Sequence, residues 1–342
     1  MKRALSSHRR LYGFILAAII FAFVPLFVKS PYYIDLLIVT MINAALAMTF
    51  IMMLRTGLIS LGIAAFWGIG AYASAMLVTR GNMSFWLSLP ISGLITAAIA
   101  FIVGFIIIRN AGFTFVILTT VIGMLFVVAV GNISALNRYN GISNIPPPNT
   151  IDLPFLPPMV FDSKVAFFYL GFVIFILVVL FINAFYSSWA GRAWNAIGLN
   201  PRLAQSMGVN VFRYRLMSFV IASGIAGLVG SFYAHYQAFI IPNAFNLFPK
   251  AIYFQVFAIL GGIEYATLGP IVGAALLTFF PDLVSMTQEI SIIFIGALLV
   301  LLIIFLPKGL LSLLQYRTKI TGWVNKGPKN KPVNPSGEAG KA

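Results

Sequence analysis

The feature that most constrains this chain is a series of long apolar runs, near residues 11–28, 34–54, 57–79, 84–108, 112–131, 165–185, 216–240, 249–263, 266–281 and 290–307, each bounded by charge, proline or glycine. A helix needs about 17–25 apolar residues to cross a hydrocarbon core, because backbone groups there must be satisfied within the segment. A chain of 342 residues has the length of about two soluble domains. With 61% hydrophobic and only 8% charged residues, however, it lacks the polar surface of one. Barrel strands would alternate in polarity over ~10 residues, whereas 165–185 and 291–306 are continuously apolar. The expected fold is an all-α polytopic membrane protein of about ten transmembrane helices, forming one domain over 11–321.

An even number of spans puts both termini on one side, and both are basic, from Lys2, Arg3, Arg9 and Arg10 at one end to Lys308 through Lys341 at the other. The positive-inside rule makes that side cytoplasmic. Threading the chain through this topology also places Arg55, Arg109, Arg192, Arg202, Arg213 and Arg215 inside, and Lys29, Arg80, Arg138, Lys164 and Lys250 outside. The inner side then carries 17 basic and two acidic residues, and the outer side five of each, so the whole net charge of +15 lies inside. The basic excess is thus an orientation signal and no nucleic-acid footprint. Leu11–Val28 is longer than a signal-peptide core and ends in Val28-Lys29-Ser30-Pro31 without a small-x-small cleavage site, so it reads as a retained first helix after the basic N-terminus 1–10. Residues 322–342 are too polar to pack and are expected to be a disordered cytoplasmic tail.

Two breaks between spans are long. Residues 132–164 carry Pro146-Pro147-Pro148, Pro154 and Pro157-Pro158, which favour extended conformations and predict an external, partly stiff loop. Residues 186–215 hold four arginines, with Trp189 and Trp194 at their start, and an apolar-periodic stretch that predicts short helices at the inner membrane face.

Several chemistries are excluded. No cysteine is present and only two histidines, His8 and His235, which leaves no disulfide, no thiolate and little for a metal site. The span interiors carry almost no ionisable groups, so the proton or ion relay of a secondary transporter lacks its residues. The phosphate-loop pattern G-x-x-x-x-G-K-[ST] is absent, as are H-E-x-x-H and G-x-S-x-G. The chain therefore reads as no enzyme, with no cofactor of its own. Energy for uphill transport must come from another subunit, docked on the cytoplasmic face.

Three segments carry the functional reading. In Gly57–Tyr72, Gly62, Phe66 and Gly70 follow one another at four-residue steps beside a row formed by Gly68 and Tyr72, with Gly57 and Ser60 just before. Small residues at such spacing let membrane helices approach closely, so both helix packing and a translocation path stay open. The inner loop contains Gly191-Arg192-Ala193-Trp194 and then Ala204 through Arg215, including Met207-Gly208-Val209-Asn210 and Arg213. On charge alone it is a solvated basic connection. The third segment runs through Ala226-Gly227, Tyr233-Ala234-His235-Tyr236, Ile241-Pro242, Phe245, Gly261-Gly262 and Gly269-Pro270. Here His235 is either a polar residue at the outer interface or part of a ligand path. Gly261 and Gly262 are either a cytoplasmic turn or an interrupted helix at a transport site.

In order and spacing these segments resemble the LivM-like permeases, the membrane subunits of branched-chain amino acid ABC importers, over most of residues 36–314. The first is similar to that family's G-x-x-S-L-G-H-A-A-F-F-G-I-G-A-Y, with Ile63 in place of the histidine. The second resembles its ATPase-coupling loop, G-R-A-x-x-A-I followed by L-G-[IV]-N-x-x-R-Y-K, with Gly198-Leu199-Asn200-Pro201 where relatives carry Arg-Glu-Asn-Glu. The resemblance implies an ABC importer permease fold in a bacterial or archaeal cytoplasmic (inner) membrane. It implies a coupling loop of Gly191, Arg192, Ala204, Met207, Gly208, Val209, Asn210, Arg213 and Arg215. It places Gly57, Ser60, Gly62, Phe66, Gly70, Tyr72, His235, Gly261, Gly262, Gly269 and Pro270 in the translocation path or in helix packing. The partners it implies are two ATPase subunits carrying ATP and Mg, a second LivH-like permease, an extracytoplasmic substrate-binding protein and an amino-acid substrate. Urea or short amides suit an uncharged path equally. An ATP-independent facilitator and a structural membrane scaffold are the readings from other classes.

Overall fold

In a computed structural model the chain is described over residues 20–28, 30–110, 112–150, 160–246, 250–283, 288–305 and 309–312. The basic N-terminus, residues 11–19 of the first expected span, the 322–342 tail and residues 151–159 of the outer loop lie outside the described residues. Described helices are α1 (20–27), α2 (Pro31–Leu54), α3 (Ile63–Thr79), α4 (Phe85–Ile107), α5 (Phe113–Asn132), α6 (Lys164–Ser187), α7 (Trp189–Leu199), α8 (Pro201–Ser206), α9 (Val211–Gln237), α10 (Ile252–Gly261), α11 (Leu268–Leu283) and α12 (Gln288–Phe305). Among the described residues, α2, α4, α5, α6 and α9 are long and apolar enough to cross a membrane, and α3, α10 and α11 are shorter apolar helices.

The bundle is built around α2. Apolar on every side, a helix of this kind belongs in an interior, and α2 is buried from Ile34 to Met53 against α6, α9, α10 and α11. Its polar side chains are satisfied locally or across helices. The hydroxyls of Thr40 and Thr49 donate to the carbonyls of Leu36 and Leu46, at 2.7 Å each, and Asn43 Nδ2 donates to Thr278 Oγ1 of α11 at 3.2 Å. Near its N-terminus Asp35 accepts from the Tyr236 hydroxyl of α9 and lies 3.7 Å from Lys164 Nζ of α6. The second axis is α9, packed on α3 and α4. A Cβ at Gly70 would collide with the backbone of Gly227, and one at Gly230 with the carbonyl of Trp67, so these helices meet backbone to backbone. The flank turned outward is apolar, with Leu94, Ile102 and Ile106 of α4, Phe113 and Leu125 of α5, and Leu177 of α6 all exposed. Such a surface suits lipid or another apolar chain.

Two expected spans are corrected. The run 57–79 becomes helical only from Ile63, because Gly57 takes a positive φ of 74° and 58–60 is non-helical. In the run 249–263 the α-helix covers only the ten residues of α10, entered from a π-helical turn at 250–251, and rises ~15 Å, half of a ~30 Å core. Upstream, α9 stops at Gln237, where Ala238 has φ 55°. The apolar stretch that follows then buries itself as a loop: Ile240 pairs antiparallel with Ile142 of the outer loop, and the 3-10 turn Pro242–Phe245 tucks Phe245 completely inside. Apolarity there marks depth in the bundle and not a helix.

Candidate functional site

The inner loop is organised by caps. Ser188 Oγ accepts from the Gly191 amide at 3.4 Å to start α7, and Asn200 Oδ1 accepts from the amides of Arg202 and Leu203, both at 3.1 Å, to start α8 with Pro201 at its first position. Asn210 Oδ1 likewise accepts from the Arg213 amide at 3.0 Å at the head of α9. Gly208, at φ 83°, ends α8. Its amide donates to the Gln205 carbonyl at 3.0 Å and that of Val209 donates to Ala204 at 3.1 Å, the paired bonds of a Schellman cap.

One face of this loop is anchored. Trp194 is fully buried and stacks on Phe185 with ring centroids 4.4 Å apart, while Ala193, Ile197 and Ala204 are also buried. Gly191 lets α7 lie against the end of α6, since a Cβ there would sit 2.5 Å from the Tyr186 carbonyl. The opposite face carries Leu199, Leu203 and Met207, exposed to 89%, 62% and 79%, flanked by the exposed residues Arg192, Arg202 and Arg213. Large apolar side chains held out by capped helices and bordered by arginines form a surface fit to enter a cleft in another protein.

Arg55, which the sequence marked only as an inner charge, joins this loop to the bundle. Its guanidinium lies over the Tyr186 ring at 4.4 Å, donates to Asn195 Oδ1 of α7 at 3.0 Å, and donates to the Glu264 carbonyl in the α10–α11 turn at 3.4 Å. Arg215 turns inward, its Nε donating to the Thr56 carbonyl at 3.0 Å, with Thr56 and Ser218 hydroxyls 2.9 Å apart beneath it. Five of the expected coupling residues, Gly191, Ala204, Gly208, Asn210 and Arg215, thus build the loop's frame. Its exposed apolar tips were missed apart from Met207, because periodicity in so short a helix does not say which face is covered.

The small-residue segment splits between two surfaces. Gly62 caps α3 beside the Thr119 carbonyl of α5, Phe66 packs edge-on against Phe219 of α9 at 5.2 Å, and Gly70 meets Gly227. Ser60 is buried, its hydroxyl accepting from the Gly62 amide at 3.2 Å and its carbonyl accepting from Gln255 at 3.4 Å. Gly57 faces Arg215. The neighbouring row, Gly68 and Tyr72, faces aromatic rings of α5 and of the Pro242–Phe245 turn. Gly261, Gly262 and Gly269 form a tight α10–α11 turn, against which Gly309 also packs, and Pro270 sits in the first turn of α11, where a missing N–H costs nothing.

His235 is buried in the last turn of α9. Its Nδ1 lies 2.7 Å from the Pro146 carbonyl, which can only accept, so Nδ1 carries the proton and Nε2 accepts from the Ser74 hydroxyl at 3.0 Å. Ser231 donates to Ser74 at 2.7 Å, and Ser88 lies 3.0 Å from Ser74. This network pins the outer loop to α3, α4 and α9.

The sequence model of the branched-chain amino acid transport system permease component family matches residues 32–303. The high-affinity branched-chain amino acid transport system permease protein LivM of Escherichia coli (strain K12) is 30% identical over 333 residues, covering 92% of this chain and 78% of its own length. LivM of Salmonella typhimurium (strain LT2) is 29% identical with the same coverage. A probable branched-chain amino acid transport permease protein LivH of Methanocaldococcus jannaschii is 26% identical over 225 residues, 64% of this chain and 68% of that one. No solved structure matches the chain significantly.

Proposed function

The chain belongs to the family of branched-chain amino acid transport system permease components, and we propose that it forms one half of the translocation path of an ABC importer for branched-chain or related amino acids. It is a transport subunit and performs no covalent chemistry. The observation that carries the reading is the face of α7 and α8, where Leu199, Leu203 and Met207 stand exposed on a frame locked by Trp194, Asn200 and Gly208.

In this reading that face docks into an ATPase subunit, one of two that hold ATP and Mg. A second, LivH-like permease covers part of the apolar outer flank, and an extracytoplasmic binding protein delivers substrate from the opposite side. The membrane is the cytoplasmic (inner) membrane of a bacterium or archaeon, crossed about ten times with both termini inside. Closure of the ATPases pulls on α7 and α8 as a rigid unit. Arg55 passes that pull to the inner end of α2 and to the α10–α11 turn, since its guanidinium bonds to both sides of the joint. A zwitterion suits a bundle whose interior polar groups are hydroxyls, amides, main-chain dipoles and the imidazole of His235, with apolar walls for an aliphatic side chain.

Affinity purification of the chain from its native membrane in mild detergent tests the assembly. Recovery of ATPases and a second permease in fixed stoichiometry is the expected result. Recovery of the chain alone, beside a control importer that stays intact, points instead to an ATP-independent facilitator.

A further inference from the structure

Midway along α3 six aromatic side chains from five parts of the fold converge: Trp67 and Tyr72 of α3, Phe126 of α5, Tyr233 of α9, Phe254 of α10, and Phe245 from the Pro242–Phe245 turn. Phe245 is the hub, with ring centroids 4.7 Å from Trp67, 5.9 Å from Tyr233, 6.0 Å from Tyr72 and 6.3 Å from Phe126. Phe254 closes the inner side, 5.9 Å from Trp67. Gly68 makes the convergence possible, because a Cβ there would strike Phe126 and lie 2.9 Å from Phe245 Cγ.

Two polar atoms in this cluster have no partner. Trp67 Nε1 and the Tyr72 hydroxyl are buried, in residues only 3% and 4% exposed, and neither makes a hydrogen bond. Buried donors are nearly always paired, and these two flank the same ring. Phe245 is also carried differently from its neighbours. It comes from a four-residue turn between Ile241 and Asn246, both extended, a few residues beyond the left-handed Ala238, whereas the other five rings are mounted on helices. Three backbone hydrogen bonds, two between Ile142 and Ile240 and one from the Ile145 amide to the Ala238 carbonyl, tie this segment to the outer loop.

We propose that Phe245 is a removable plug in a substrate site, and that when it withdraws Trp67 Nε1–H and Tyr72 Oη–H bind the carboxylate of an aliphatic amino acid. Two unpaired donors on rings that both contact Phe245 suit an anion once that ring leaves, and tryptophan can only donate. The faces of Tyr233, Phe126 and Phe254 receive the ammonium as a cation–π partner and the aliphatic side chain as apolar surface. Urea or a short amide has neither anion nor cation and uses little of this box. A push on the outer loop from outside reaches Phe245 through the 142–145 pairing, so delivery and unplugging are mechanically linked. The proposal rests on the amino-acid reading above and narrows it to zwitterions.

The test uses cells that lack their own leucine uptake and express the complete importer, with [14C]leucine as probe. Trp67→Phe and Tyr72→Phe keep the rings and delete one donor each. Each is expected to lower leucine uptake about tenfold, in keeping with a hydrogen bond to a charged group, while the partner subunits still co-purify. Wild-type uptake in both variants overturns the site. Because the chain has no cysteine, Tyr72→Cys supplies a single thiol for a membrane-impermeant maleimide added outside. That thiol is expected to be protected with Phe245 in place and labelled when Phe245→Ala is added. Equal protection in both overturns the plug, whether or not the uptake variants assemble. Absence of leucine uptake by the wild-type importer, with this labelling pattern intact, rejects the amino-acid reading and leaves the plug standing.

Discussion

At the scale of single residues, contacts with no room for a side chain hold the bundle together. Lipid offers helices no hydrophobic drive to associate, so close packing must do so. Gly230 is the clearest case, since its missing Cβ is where the Trp67 carbonyl passes. Gly230→Val is expected to destabilise the protein by about 3 kcal/mol, read as a lowered melting temperature in detergent, and an unchanged melt contradicts the contact. His235 acts by satisfaction in place of size. His235→Leu strands the Pro146 carbonyl, costing about 1–3 kcal/mol, and leaves Ser74 to its serine neighbours. Hydrogen exchange at Ile142 and Ile145 is expected to rise well before the helices loosen. The glycine spacing was visible in the sequence as packing potential. Its partner was not, because Gly70 and Gly227 are separated by nearly half of the chain. His235 kept two readings open for the same reason: Ser74, Ser88, Ser231 and Pro146 come from three helices and a loop that only folding brings together.

At the scale of elements, caps and φ values decide what the inner loop can transmit. Nothing lies within 4 Å of a Cβ built on Gly208, so its requirement is conformational and not steric. A β-branched residue at φ 83° costs roughly 1–2 kcal/mol and releases the bonds from Gly208 and Val209 that finish α8. Gly208→Val is therefore expected to abolish ATP-driven uptake while the protein remains at normal levels in the membrane, and Gly208→Asn, which tolerates the left-handed region, to retain most of it. Normal uptake by Gly208→Val removes the coupling role. The short inner helices were legible from the apolar periodicity within 186–215. The end of α9 was not, because residues 238–240 look alike whether they extend the helix or enter a buried loop. Only the left-handed Ala238 and the pairing of Ile240 with Ile142 separate the two, and neither has a sequence signature.

At the scale of the whole molecule, the charged groups separate by end, and the proposed orientation follows from that separation. Arg55 and Arg215 meet the α7–α8 loop region at the same end of the bundle, bonded to Asn195 and to Thr56, and the arginines of that loop lie beside them. Lys164 belongs to the opposite end, with Asp35 and Tyr236. Reversing the molecule would expose the arginine-rich end to the outside, against the bias that sets membrane topology. Thr150 and Gln205 are both exposed, the first in the outer loop and the second on α8. In the cysteine-free chain, Thr150→Cys is expected to react with an impermeant maleimide on intact cells, and Gln205→Cys only after the membrane is opened. The reverse pattern would put the Leu199, Leu203 and Met207 face outside, where no ATP-hydrolysing partner can reach it, and the importer reading would fall with the topology. Labelling of both from outside would instead mean that α6, which lies between them in the chain, does not cross the membrane.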